Sequence, residues 1–370
     1  MTVVRPLERA DLQPVANLLV KTFQQRPQAS AEMASYLGQL LLDLPDRDPE
    51  INSLVHVNDN GQINGFIGVF TQLMQIDGRT LRAALGNSLA VDPDAGDPMV
   101  GARLCRGFFK GPQDITISDR SNATSVGMWR GMGGSSLPTY SMDWHRTLRP
   151  VSSATSRIRG RLKLRGVTAP ITSALDGVVE RYAKKRGKEQ WITPTLPQRP
   201  PGLTRRDASD ADLLAAIPAL VAASRLHPVW SEAGLQTLLT HSARKSEFGD
   251  TIRQVIADKS GRVIGAYIYY LQPHGFAQVL HVFAAKGMAE AVLDILLVDA
   301  SERGAVAIGG RAQAALLEPL MDRHAALTGE YRCVFGTTDK AVLEAVQTGD
   351  AIIGGIVGEF WARINGDNLK

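Results

Sequence analysis

The sequence predicts an α+β protein made of two tandem copies of one domain, and two observations carry that reading. The first is a repeat at an offset of 200 to 201 residues. Arg5-Pro6-Leu7-Glu8-Arg9-Ala10-Asp11-Leu12 returns as Arg206-Asp207-Ala208-Ser209-Asp210-Ala211-Asp212-Leu213, each after a short apolar strand and before a helical apolar period. Val57-Asn58-Asp59-Asn60-Gly61, then Gly65, returns as Ala257-Asp258-Lys259-Ser260-Gly261, then Gly265. In each case a polar turn with glycine joins two apolar runs, as in a β-hairpin. So long a period means two copies of a domain, because solenoid repeats run about 20 to 50 residues. The second observation is that 370 residues at 44% hydrophobic and 21% charged suffice for two buried cores.

A strand at 2–5 leads into a helix over 8–23, where Leu12, Val15, Leu18, Leu19 and Phe23 recur at helical spacing. A second helix follows near 31–44. Strands are expected at 54–57, 62–70 and 79–91, then a turn through Asp92-Pro93-Asp94-Ala95-Gly96-Asp97-Pro98. Residues 99–109 read as a helix, 114–118 as a strand, and 121–132 as a helix stopped by Gly133-Gly134. The order is β-α-α-β-β-β-α-β-α-β. The second copy runs likewise: a strand near 203, a helix at 210–225, a hairpin at 252–272, a strand at 276–284 and a helix at 288–303. A strand at 305–309, a helix at 312–327 and strands near 331–335 and 352–364 complete it. Pro194, Pro197, Pro200 and Pro201 make a stiff polar linker. The expected domains are therefore 1–150 and 202–370, joined by a basic, proline-containing segment 151–201 with a helix.

The net charge of +4 is concentrated between the copies, where 151–188 holds ten Lys or Arg against Asp176 and Glu180. Such an excess, centred on 157–188, attracts phosphate or an anionic membrane surface, or is a solvated connecting helix and loop. Aromatic residues for base stacking are nearly absent there, so no nucleic-acid partner is expected. The N-terminus turns polar too soon for a signal peptide, and no apolar run is long enough to span a bilayer. The expected place is the cytoplasm, with the basic segment at the inner face of the membrane as a further expectation. Cys105 and Cys333, one per copy, are too few for a disulfide framework or a zinc site and read as buried thiols. No His-x-x-x-His or Cys-x-x-Cys spacing, Gly-x-Ser-x-Gly elbow or Walker-type loop is present, which disfavours metal catalysis, hydrolase and NTPase readings.

This order of elements, with Val4-Arg5-Pro6, Asp11 and Leu18-Leu19, resembles the GNAT superfamily of acyl-CoA-dependent N-acyltransferases. The resemblance implies, in each copy, a mixed, mostly antiparallel central sheet flanked by helices. Its most specific part is Asn122-Ala123-Thr124-Ser125-Val126-Gly127-Met128-Trp129-Arg130-Gly131-Met132-Gly133, similar to the family's Asn, helix, aromatic residue and Gly. It implies that Asn122 helps hold the pantetheine region and that Trp129 stands where a Tyr often protonates the departing thiolate. An indole N–H does not titrate as an acid. Tyr140 is the candidate replacement, a phenol being suited to that proton transfer, or else it is a packed strand tyrosine.

Val91 to Leu104 stands where the family has its pyrophosphate loop, which implies cofactor contacts from Val91, Gly96, Val100, Gly101 and Ala102 at a helix N-terminus. Here Pro98 removes a donor, while Asp94 and Asp97 bring negative charge. On the preceding strand Asn87 and Ser88 are not basic, so a water relay is the expected base. Asn87 contacts substrate or water, or bonds to backbone. Asp119 and Arg120 lie where the family splays two strands to admit the thioester, and contact substrate or pair with each other. The second copy offers Ala284-Ala285-Lys286-Gly287-Met288 and a helix without the Asn and aromatic residue, and reads as degenerate. The resemblance thus implies transfer of an acyl group from acetyl-CoA, a longer acyl-CoA or a carrier-protein thioester to a small amine. Direct attack in the first copy, no metal, and a monomer or homodimer are expected. The alternative is a GNAT-fold binding or regulatory protein without turnover.

Overall fold

The two copies of the opening motif fold into the same hydrogen-bonding device. In the computed structural model, which describes residues 2–149, 195–272, 275–329 and 331–364, Arg5 Nη1 and Nη2 donate to the two carboxylate oxygens of Asp11 at 2.6 and 2.8 Å. Arg206 does the same to Asp212 at 2.7 and 2.6 Å. Each aspartate also accepts the backbone N–H three residues back, Glu8 at 2.8 Å and Ser209 at 2.9 Å. These capping boxes start the helical segments that follow. The repeated hairpin glycines serve one purpose too. Gly61 and Gly261 have φ of 76° and 85°, the left-handed turn conformation that side chains disfavour.

The chain divides into two compact units. Described residues of Met1–Met142, Ser224–Lys245 and Gly329–Lys370 form the first, and those of Asp143–Ala223 and Ser246–Thr328 the second. Among the described residues, the first unit holds an eight-stranded sheet. Its order is β1 (Val3–Pro6), β2 (Leu54–Val57), β3 (Ile63–Ile76), β4 (Arg79–Val91), β5 (Ile115–Ser121), β15 (Arg332–Gly336) and β6 (Ser135–Ser136), with β9 (Leu226–Val229) also paired to β3. The β4–β5 pair is parallel and the others antiparallel. Helices α1 (Leu12–Gln24) and α2 (Ala31–Leu41) precede β2. Helices α3 (Val100–Phe109) and α4 (Ala123–Gly131) bring Val100, Leu104, Phe108, Val126 and Trp129 onto the sheet face carrying Ile67, Val69 and Ala84. That cluster is the core beneath the site.

The second unit holds a seven-stranded sheet among the described residues. Its order is β14 (Ala326–Thr328), β7 (Asp143–Thr147), β13 (Ala307–Arg311), β12 (Phe276–Ala284), β11 (Val263–Leu271), β10 (Asp250–Ala257) and β8 (Thr204–Asp207). Again one pair, β12–β13, is parallel. Both sheets are mixed and mostly antiparallel with flanking helices, as the resemblance implied.

The units are not the contiguous stretches 1–150 and 202–370. Strand β7 pairs with β13, where a side chain on Gly309 would lie 2.4 Å from the Trp144 carbonyl, so the glycine is what allows that close approach. Strand β15 pairs with β5 and β6 instead, which puts both buried cysteines, Cys105 and Cys333, in the first unit. The expected strand at 352–364 is absent: consecutive left-handed glycines, Gly354 and Gly355 with φ of 82° and 62°, break it. The expected helix 312–327 is reduced to a 3₁₀ turn at Ala314–Leu316 and a helix at Leu317–Asp322, closed by His324 at φ 54°. Two helices not foreseen, Glu232–Ala243 and Lys340–Gln347, belong to the first unit. The basic stretch 157–188 lies outside the described residues, as does the linker helix expected in 151–201. Among the described residues no helix is long and apolar enough to cross a membrane.

Candidate functional site

Strands β4 and β5 run together for three pairs, Ala83 with Ile115, Ala84 with Thr116 and Leu85 with Ile117, and then part. Where they part, β4 bulges. Phe66 pairs with Ala90 and Gly68 with Asn87, so the single residue Ile67 spans both Ser88 and Leu89. Ser88 takes φ of 47°, a left-handed conformation costing a non-glycine residue about 1–2 kcal/mol. Such strain persists only where surrounding structure imposes it, and here it re-aims the backbone of β4 at the fork.

Asn87 sits at this fork, 4% exposed, and neither its amide nitrogen nor its amide oxygen has a hydrogen-bond partner among the described residues. Its Oδ1 fills the space where a side chain on Gly68 would lie, 2.4 Å away, so the glycine opposite makes room for the carboxamide. Burying such groups unsatisfied costs about 1–3 kcal/mol each. Across the fork Asp119 on β5 is also buried, packed so closely on Gly358 that a side chain there would meet its Oδ2 at 1.9 Å. Arg120 places its guanidinium 4.8 Å from the centre of the Tyr331 ring and 6.0 Å from that of Phe360, a cation–π arrangement.

The loop from β4 to α3 carries the expected acidic residues, each with a partner. Lys21 reaches Asp92 at 2.6 Å and Asp94 at 2.9 Å, and those carboxylates raise its pKa. Asp97 accepts the Met99 N–H at 2.8 Å and pairs with Arg103 at 2.5 Å. The Arg103 guanidinium holds the Asp97 carboxyl below the usual range. Behind Arg103 lies His56, 3.4 Å from its Nη1, with the other imidazole nitrogen 2.6 Å from Asn64 Oδ1. Gly96 turns the loop at φ 68°. Val100, Gly101 and Ala102 form the first turn of α3, whose N–H groups have no partner within the helix.

No known family profile matches the chain, and no curated protein resembles it in sequence. Solved structures do resemble it. A conserved protein of unknown function from Enterococcus faecalis V583, described as a probable N-acyltransferase, superposes with a TM-score of 0.57 at 12% identity, over 94% of this chain and 73% of that one. A GCN5-related N-acetyltransferase from Kribbella flavida does so at 0.53 and 15% identity, over 90% and 70%. One from Anabaena variabilis ATCC 29413 reaches 0.58 at 12% identity, over 93% and 75%. The fold is that of the GCN5-related N-acetyltransferases. At these identities the likeness is one of fold, and chemistry must be argued from the site.

On this GNAT fold the remaining candidates have definite places. Asn122 caps α4, its side chain accepting the Ser125 N–H at 2.9 Å, which satisfies one of the helix's orphan donors. Trp129 is 3% exposed and packs with Phe108 and Phe109, ring centres 5.7 and 4.8 Å away, so it is core beneath the fork. Tyr140, also buried, donates to the Ala351 carbonyl at 3.2 Å, and burial pushes its pKa up. It lines a separate cavity of about 300 Å³ with Ser135, Ser136, Phe335 and Leu343.

Sequence reasoning missed the wall facing the fork. Phe70 and Leu85 of the sheet, Trp230, Leu238 of the helix Glu232–Ala243, and Ile356 and Trp361 of the C-terminal strap line a narrow cavity of about 30 Å³. Lys245, fully buried, fastens that strap by donating to the carbonyls of Phe360 and Ala362 at 2.6 and 3.0 Å. Two of the chain's five tryptophans stand here, which is the signal available beforehand.

Proposed function

We propose that the first unit transfers an acyl group from a CoA or carrier-protein thioester to a small amine, at the fork between β4 and β5, in the cytoplasm. The observation that carries this reading is the coincidence of three features at one point: the strands part after Leu85, β4 bulges at Ser88, and Asn87 holds an unpartnered carboxamide there. Parted strands offer unpaired backbone N–H groups, and a thioester oxygen lying against one is polarised most as it becomes an oxyanion. The neutral amine attacks the carbonyl carbon, the C–S bond breaks, and the thiolate leaves. The amine proton passes to water oriented by Asn87, since no strong base stands on β4 at the fork. Asp119 and Arg120 bound the acceptor side. Positioning supplies most of the rate.

A second reading is favoured by Asp97, whose carboxylate occupies the α3 N-terminus where a pyrophosphate would be held. In that reading the GNAT fold is kept as a binding or regulatory protein. Titrating acetyl-CoA and a long-chain acyl-CoA into the protein and into Gly101→Asp separates the two. A Cβ at Gly101 meets Met128 and Val91 at ordinary contact distance, 3.6 Å, and an aspartate in a first helical turn complements the helix dipole; because Gly101 is buried, circular dichroism of the variant checks that it folds. Binding by the wild type and its loss in the variant support the enzyme. No heat with either ligand removes CoA as the donor and leaves the second reading or a carrier-protein thioester.

A further inference from the structure

The second unit has a fork of its own. Strands β12 and β13 pair from Phe276 with Ala307 to Val279 with Gly310 and then part, and β12 bulges at Leu280 just beyond. Into that opening runs Gln313, which follows β13. Its Oε1 accepts the Val282 N–H at 2.8 Å and its Nε2 donates to the Val282 carbonyl at 2.7 Å. Val282 pairs with Tyr267 of β11, and in an antiparallel ladder a residue sends both backbone groups to one side. Those of Val282 therefore point away from β11 into the fork. Beside the carboxamide lies His281, 1% exposed, its Nε2 3.2 Å from Gln313 Nε2 and its Nδ1 without a partner among the described residues. The side-chain amide of Gln313 thus makes, to one strand residue, the pair of bonds that a neighbouring secondary amide would make.

The first unit shows what the same corner does otherwise. The backbone bonds Asp92 N–H to Asn64 carbonyl and Ala285 N–H to Ile264 carbonyl, both 2.9 Å, mark equivalent points. Counted from them, Leu89 is the counterpart of Val282. Asn122 and Gln313 both stand at N-cap positions with extended backbone after the inner parallel strand. Asn122 turns its carboxamide forward to Ser125 N–H. Gln313 makes no cap bond to its own turn, and its extra methylene carries the amide across the fork.

We propose that the backbone of Val282 is a second amide-binding edge, suited to an extended chain of secondary amides such as an acyl-pantetheine arm, and that Gln313 occupies it as an internal ligand. The second unit is then closed to thioesters by one side chain rather than by loss of its fork. This holds whether or not the first unit turns over.

The full chain labelled with ¹⁵N-valine tests it, the Val282 amide being assigned by its disappearance in Val282→Ile. In the wild type that amide exchanges slowly and does not move when S-acetylpantetheine is added. In Gln313→Asn it exchanges roughly tenfold faster, as loss of a partly buried hydrogen bond requires, and shifts progressively with S-acetylpantetheine. If Gln313→Asn fails to fold, Gln313→Glu keeps the length and the acceptor but cannot donate to the Val282 carbonyl, and intermediate exchange with a weaker shift is expected. Unchanged exchange in the folded variant would overturn the internal-ligand role. Faster exchange with no shift at millimolar S-acetylpantetheine would overturn the amide-binding edge.

Discussion

Asp97 and Arg103 form a closed pair over the first turn of α3, with Oδ2 2.5 Å from Nη1 while Oδ1 takes the Met99 N–H. The carboxylate does there what an anionic ligand would do, and it neutralises the cation best placed to help. Asp97→Asn keeps a side-chain oxygen for the Met99 N–H, removes the charge and releases Arg103. Acetyl-CoA is expected to bind roughly fivefold tighter to this variant, since a solvent-screened surface charge has only a modest effect, with a steeper salt dependence. Calorimetry at two ionic strengths measures it. Equal affinity would mean that phosphate does not meet this helix end.

Asn87 should behave as a functional residue that costs stability. Replacing two buried, unpartnered amide atoms by an apolar side chain of similar shape removes a desolvation penalty, so Asn87→Leu is expected to gain about 1 kcal/mol in denaturant unfolding. The same change is expected to lower acyl transfer at least about tenfold, since the oriented water or amine contact goes with it. A destabilised Asn87→Leu would show that the carboxamide has a partner in the folded chain.

How legible this was in the sequence follows from the distance over which each feature is decided. The bond between Arg5 and Asp11, and its repeat between Arg206 and Asp212, span six residues, so the repeat could be read directly. The exchange of β7 and β15 could not. Cys333-Val334-Phe335 is an apolar run that fits any sheet, and only the edge beside β5 decides its partner. Asn87 and Ser88 could be picked out at the end of a strand before a turn, but the bulge that strains Ser88 depends on pairing with β3. Trp230, Lys245 and the strap around Trp361 come together across more than a hundred residues. No periodicity marks them.

His241 sets a limit on acid stability. Burial, then the charges of Arg244 and Arg363, lower its pKa from 6.5 to about 4, and its ring packs between Tyr36 and Trp361 at 5.5 and 5.9 Å. Below pH 6.5 the unfolded chain takes up a proton that the folded chain refuses until about pH 4. Stability is therefore full above that window and falls as the pH drops through it. Thermal melts from pH 7.5 to 4.5 should show Tm declining in the wild type and a shallower decline in His241→Gln. Parallel declines would mean that other groups carry the acid limb.

Tyr140 separates a catalytic from a structural hydroxyl. Its bond to the Ala351 carbonyl ties the segment after α4 to the start of the strap, and Tyr140→Phe leaves that carbonyl unpaired at a cost of about 1–2 kcal/mol. Because its pKa is raised above the ordinary 10.0 by burial, the folded chain keeps its proton where the unfolded chain releases it. The stabilisation is complete below pH 10 and is lost as the pH climbs above it, so the wild type should lose stability there more steeply than Tyr140→Phe. A hydroxyl spent on a backbone carbonyl, beside a cavity lined by Ser135 and Phe335, is not placed to protonate a thiolate between β4 and β5. Single-turnover acyl transfer in Tyr140→Phe should therefore keep its rate within about twofold and its pH profile unchanged. A loss of about a hundredfold with altered pH dependence would make Tyr140 the acid, and would require the fork and that cavity to communicate during the reaction.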